Sequence, residues 1–141
     1  MNQQATPLTR QQLFDNALNG IRAQGHRQSV GSFTNGSSGS CVYISPSGDR
    51  CAVGHSLPAS ITRERLEQRY KNSGTGPDSL RVAFPEVAAV IHEDDLDFLA
   101  RLQRVHDNRR LVNEGASYFE PAMEQFAAKH DLVYTPRKVI A

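Results

Sequence analysis

Fifteen residues, Cys41-Val-Tyr-Ile-Ser-Pro-Ser-Gly-Asp-Arg-Cys-Ala-Val-Gly-His55, constrain this chain more than any other stretch. They hold both of its cysteines, its clearest turn signal and a histidine. Cys41 to Ile44 is β-branched and aromatic, which suits a half-buried strand. In Ser45-Pro46-Ser47-Gly48-Asp49, Pro46 presets φ for the first corner and Gly48 accepts a positive φ. Cys51 to Val53 then reads as a returning strand. A loop of Pro46 to Gly48 pairs Tyr43 with Cys51 and Cys41 with Val53. That register puts Cys41, Tyr43, Cys51 and Val53 on one face, and Val42, Ile44, Arg50 and Ala52 on the other. A loop shorter by one residue sends the cysteines to opposite faces.

The chain has 141 residues, enough for one domain (1–141) that buries a core without a disulfide or a structural metal. A formal net charge of +1 gives no global footprint for nucleic acid, which makes that partner unlikely. No apolar run approaches the length of a membrane span, and the first residues lack the pattern of a signal peptide. The expected setting is therefore a reducing cytoplasm with two free thiols.

Helical signals flank the hairpin. Thr9 and Gln12 form a capping box between Leu8 and Leu13, Phe14, Ala17, Leu18 and Ile21 recur at helical spacing, and Gly25 closes the helix near 9–24. His26 to Val30 reads as a short strand, followed by a flexible Gly/Ser loop over 31–40. Such a tract is a lid over the thiol face or, more often, a solvated loop. Thr62 caps a short helix carrying Leu66 and Tyr70. Its cations Arg63, Arg65, Arg69 and Lys71 interleave with Glu64 and Glu67, which describes a solvated face better than a nucleic-acid patch. Asp78 is a second candidate cap. The longest helix is expected over 93–110, its opening acids complementing the macrodipole, with Leu102, Val105 and His106 inward. A last helix over 117–130 opens on a Ser117/Glu120 capping box, with Pro121 in its first turn. Residues 1–8 and 133–141 are expected as loose ends, the latter with the option of an edge strand. The fold expected is α+β: a small antiparallel sheet built on the 41–53 hairpin, packed by three main helices.

Three chemistries fit the polar residues that this fold would bring together. A thiol enzyme would use Cys41 or Cys51 as nucleophile and His106 as base, with Gln103 or Asp107 orienting it. Asp107 follows His106 directly, so the two side chains are expected to diverge, which favours Gln103. A zinc site would use Cys41, Cys51, His55 and His106, although only Cys51 and His55 have a spacing near that of paired ligands. The third reading is a binding protein without chemistry and without a cofactor. Its ligand would sit among Cys41, Tyr43, Cys51, His55, Gln103, His106 and Asp107. The third leads, because no complete catalytic constellation and no phosphate-cradling glycine loop is present.

Cys41, Tyr43, Gly48, Cys51, Ala52 and Gly54, with Leu102, Gln103, His106 and Asp107, carry a resemblance. The pattern Cys-x-Tyr…Gly…Cys-Ala-x-Gly followed by Leu-Gln-x-x-His-Asp resembles a group of small uncharacterised bacteriophage and bacterial proteins, over roughly residues 9 to 130. The Gly/Ser stretch before Cys41 is longer here, and His55 stands where the group has a small residue or a cysteine. The resemblance implies a phage-type accessory protein in a bacterial host's cytoplasm, with a host protein or small molecule as partner. It implies no mechanism.

Overall fold

The computed structural model describes residues 6–30, 41–72 and 76–137. The loop expected over 31–40 lies outside the described residues. The first helix, α1 (Arg10–Ala23), starts as its sequence dictates: Thr9 Oγ1 accepts from Gln12 N–H, and the Gln12 side chain accepts from Thr9 N–H. It ends in a Schellman turn. Gly25 N–H bonds to Arg22 O and His26 N–H to Ile21 O, with Gly25 at φ 74°. Leu13, Phe14, Ala17, Leu18 and Ile21 form its buried face. Each of the four larger side chains contributes roughly 1.5–3 kcal/mol of transfer free energy, before chain entropy is set against it.

The expected hairpin and sheet are overturned. Among the described residues there is no strand, only isolated antiparallel bridges between Val30 and Cys41 and between Ile44 and Arg50. The chain does reverse at Ser45–Asp49, where Ser45 N–H bonds to Asp49 O and Gly48 N–H to Ser45 O. No ladder grows from that turn, because side-chain amides take the places of a neighbouring strand. Asn72 accepts from Ile44 N–H at 3.0 Å and donates to Ile44 O at 2.9 Å. Gln24 does the same for Arg50, accepting from its N–H and donating to its C=O, each at 2.9 Å. After Cys51 the chain coils into a 3₁₀ turn, Gly54–Ser56, instead of running back beside Cys41. Gly54 is required there: a Cβ would lie 2.3 Å from Tyr43 O. Cys41 therefore meets Val30, and Val42 N–H bonds to Ser29 O.

The rest is helical: α2 (Arg63–Gln68), α3 (Pro77–Ala83), α4 (Pro85–Val90), α5 (Leu96–Asp107), α6 (Arg109–Glu114) and α7 (Ala116–Lys129). Thr62 caps α2 through Arg65 N–H, and Leu66 is buried. Tyr70 lies beyond the helix end and is exposed, with φ 55°. Asp78 is not a cap, because α3 begins at Pro77 behind Gly76. The single helix expected over 93–110 is a 3₁₀ turn, Glu93–Asp95, then α5, which stops at Asp107. Asn108 takes extended dihedrals and its side chain caps α6 by accepting from Arg110 N–H. The Ser117/Glu120 capping box does not form. Gly115 occupies the cap of α7, Ser117 bonds back to Glu114 O, and Glu120 turns inward. Because α7 starts at Ala116, Pro121 sits in its second turn.

Among the described residues the buried apolar side chains other than Val42 form one cluster, in which α1, α5 and α7 meet through Phe14, Phe98 and Phe126. Residues 132–137 make no strand and lie along α1, held by Gln11 to the Val133 backbone and by Arg22 to Thr135 O. No helix among the described residues is long and apolar enough to cross a membrane.

Candidate functional site

His106 stands on the last turn of α5 with a fully buried side chain. Its Nε2 accepts a 2.9 Å bond from the buried backbone N–H of Ser29. A nitrogen that accepts from N–H carries a lone pair, so the ring's proton is on Nδ1. Nδ1–H then donates to Asp107 Oδ1 at 2.8 Å. Gln103, one turn earlier, accepts from Val53 N–H at 3.0 Å and donates to the same Asp107 oxygen at 2.8 Å. The Cys41 thiol lies beside the Asp107 carboxylate, within 4.8 Å of it. The divergence expected of His106 and Asp107 is overturned. Nδ1 is the ring nitrogen nearer the backbone, and the short side chain of the next residue reaches it.

The electrostatics follow from burial. Loss of water pushes the Cys41 thiol up to about 12, and the charge of Asp107 adds to the effect. Cys51 is buried completely and is also pushed up to about 12, against the bond that its sulfur accepts from Gly54 N–H at 3.3 Å. Burial works against the Asp107 carboxylate, but the bonds from His106 and Gln103 hold it below its ordinary range. A carboxylate held by such donors stays ionised.

The sequence candidates thus divide. Cys41, His106 and Asp107 each present a ligand-type atom, all within 4.8 Å of one another. Gln103 joins them by hydrogen bonds, and Cys51 adjoins through Gln103 and Gly54. Tyr43 is buried, with its backbone bonded to Asn72 O and Cys51 N–H. His55 lies apart. Its ring packs against α1 where Gly20 lacks a side chain, and its Nε2–H donates to Gln24 Oε1 at 3.0 Å. Burial lowers the His55 imidazole to about 4, with help from Arg50.

A metal ion among Cys41, His106 and Asp107 would have to bind Nδ1. Neutral imidazole then carries its proton on Nε2, directly opposite Ser29 N–H. The donor types suit a transition metal. The Ser29 N–H, which needs an unprotonated Nε2, suits the metal-free tautomer.

Sequence reasoning passed over Gln24, Ser29 and Asn72, which organise the site. Gln24 makes four bonds at once, to Arg27 O, Arg50 N–H, Arg50 O and His55. Their bonds to Arg50, Ile44 and His106 span 26, 28 and 77 positions, so no local pattern marks them. Gln28 also donates to His106 O at 2.8 Å and lines a cavity of about 380 Å³ with His26, Arg27, Leu111 and Val112.

No family model, curated protein or solved structure matches this chain. The phage-type assignment and the binding role accordingly have no support from known proteins.

Proposed function

We propose that this chain is a non-catalytic binding protein whose recognition face is built from Cys41, Gln103, His106 and Asp107. The observation that carries the reading is that the groups able to do chemistry are already engaged. His106 has one nitrogen on Ser29 N–H and the other on Asp107, so it has no free lone pair with which to take a proton from a thiol. Burial pushes both thiols up to about 12, far from the range of an activated nucleophile. What reaches solvent is the Asp107 carboxylate, whose side chain is 41% exposed. Such a face holds a partner and transforms nothing. The resemblance to small phage proteins makes a host bacterial protein in the cytoplasm the first partner to seek, with a small molecule as the second.

The rival is a Cys/His enzyme, and thiol alkylation against pH separates the two. The binding reading expects Cys41 to react slowly at pH 7, with a rate that climbs steadily with pH and reaches no plateau near neutrality. Rapid alkylation at neutral pH, abolished by His106→Gln in protein that still melts cooperatively, would establish the enzyme instead. Capture from bacterial lysate by wild type and by Asp107→Asn supplies the positive arm: a protein retained by the first and lost by the second.

A further inference from the structure

The charge balance around Asp107 points to what the face receives, and this inference rests on the binding reading. Asp49, Glu86, Asp95, Asp97, Glu114 and Glu120 each meet an arginine. Asp107, like the exposed Glu64, Asp78, Glu93 and Glu124, meets no lysine or arginine among the described residues, but it alone of these five is fixed by two side-chain donors, His106 and Gln103. Arg104 and Arg109, three positions before it and two after it, make no ion pair with it among those residues. The stretch 31–40, which leads into Cys41, contains neither Lys nor Arg in its sequence.

Position makes the unpaired charge more costly. Asp107 is the last residue of α5, where the negative end of the macrodipole disfavours a carboxylate. A cation arriving there is attracted twice, by the carboxylate and by the helix end. The carboxylate is also preorganised. Gln103 and His106 both bond to Oδ1, and a carboxylate offers about four lone-pair sites, so acceptor capacity remains. The support behind it is rigid, because His106 is buried on Ser29 and Gln103 is tied to Val53.

We infer that Asp107 is the recognition carboxylate for a cationic side chain of a protein partner, above all an arginine, with Gln103 and His106 positioning it. Arginine is favoured over lysine because its planar donor pair matches a carboxylate held in one orientation. Divalent metals are disfavoured by the proton on Nδ1.

The test titrates the ¹⁵N-labelled full-length chain with Nα-acetyl arginine amide, and in parallel with Nα-acetyl citrulline amide, which has nearly the same shape without the guanidinium charge. Saturable shifts are expected at the Gln103 side-chain amide and at Val53 N–H. Apparent affinity should be at least tenfold weaker for citrulline amide and should fall as salt is raised. Asp107→Asn, which keeps an oxygen acceptor for Gln103 and His106, should lose the response. Glu124→Gln, at an exposed acid elsewhere on α7, should keep it. Equal response to the two amides, or an unchanged response in Asp107→Asn, overturns the inference. So does stoichiometric binding of zinc alone that displaces arginine amide. The amide pair compares ligands on wild-type protein and decides the matter even if the Asp107 variant fails to fold. Should the amides behave alike while capture from lysate still depends on Asp107, the recognition face stands and the cationic partner falls.

Discussion

Two of the three histidine–carboxylate pairs among the described residues have a largely buried imidazole, and they are built for different ends. His26 Nε2 meets Glu120 at 2.9 Å, and His106 Nδ1 meets Asp107 at 2.8 Å. Around Glu120 the chain adds the Arg22 guanidinium and the Tyr134 hydroxyl, and little of the carboxylate reaches water. Burial alone would raise the Glu120 carboxyl, yet Arg22, His26 and Tyr134 hold it down to about 2. The charge is balanced internally, and the cluster joins α1, α7 and the segment after α7. Asp107 has only its neighbouring histidine and uncharged donors, at the wrong end of a helix, with its carboxylate partly in water. A balanced cluster staples elements together. An unbalanced but rigid one is a place where something else completes the balance.

That contrast can be broken most forcefully at His106. His106→Ala empties a fully buried site and strands Ser29 N–H, so we expect a loss of about 4 kcal/mol in urea unfolding. A loss below about 1 kcal/mol would show that the ring is not the pillar of its cluster.

Glu120→Gln comes next. It leaves Arg22 largely buried without a counter-charge, at a cost of about 3 kcal/mol. Its pH signature has a definite sign. The folded carboxyl sits near 2 against an ordinary 4.5, so the wild-type advantage is complete above pH 4.5 and drains as pH falls toward 2. Parallel wild-type and variant curves down to pH 2 would contradict the balanced-cluster account.

Gly20→Ala probes the neighbouring His55 seat. The new Cβ would fall 2.2 Å from His55 Nδ1, so the variant should lose about 1–2 kcal/mol even though alanine favours helix. A net gain in melting temperature would mean that the ring moves freely, contrary to its bond with Gln24.

The smallest expected effect sharpens the comparison most. Asp107→Asn should cost no more than about 1 kcal/mol, because the bonds that keep the carboxylate ionised only partly outweigh burial and the helix end that disfavours it. A drop as large as that of Glu120→Gln would make Asp107 a staple too.

Much of the helical body was legible from local pattern. The capping box of Thr9 and Gln12, the Schellman turn at Gly25 and the stripe Phe14, Ala17, Leu18 and Ile21 are all as expected. So is the inner stripe of α7, Phe119, Met123, Phe126 and Ala127. Such features repeat every three or four residues, so a short window contains both partners of each interaction. The gathering of Cys41, Gln103, His106 and Asp107 was also named from sequence, whereas Gln24, Ser29 and Asn72 were not.

The sequence by itself determined where helices start, what they bury and which residues carry polar chemistry, because those depend on neighbours along the chain. Only tertiary structure decided that 41–56 forms no sheet. Its β-prone residues and its turn are real, but Ile44 and Arg50 find their hydrogen bonds on the amides of Asn72 and Gln24. A backbone group is satisfied by whichever partner the fold brings near it, and these partners come from distant points of the chain.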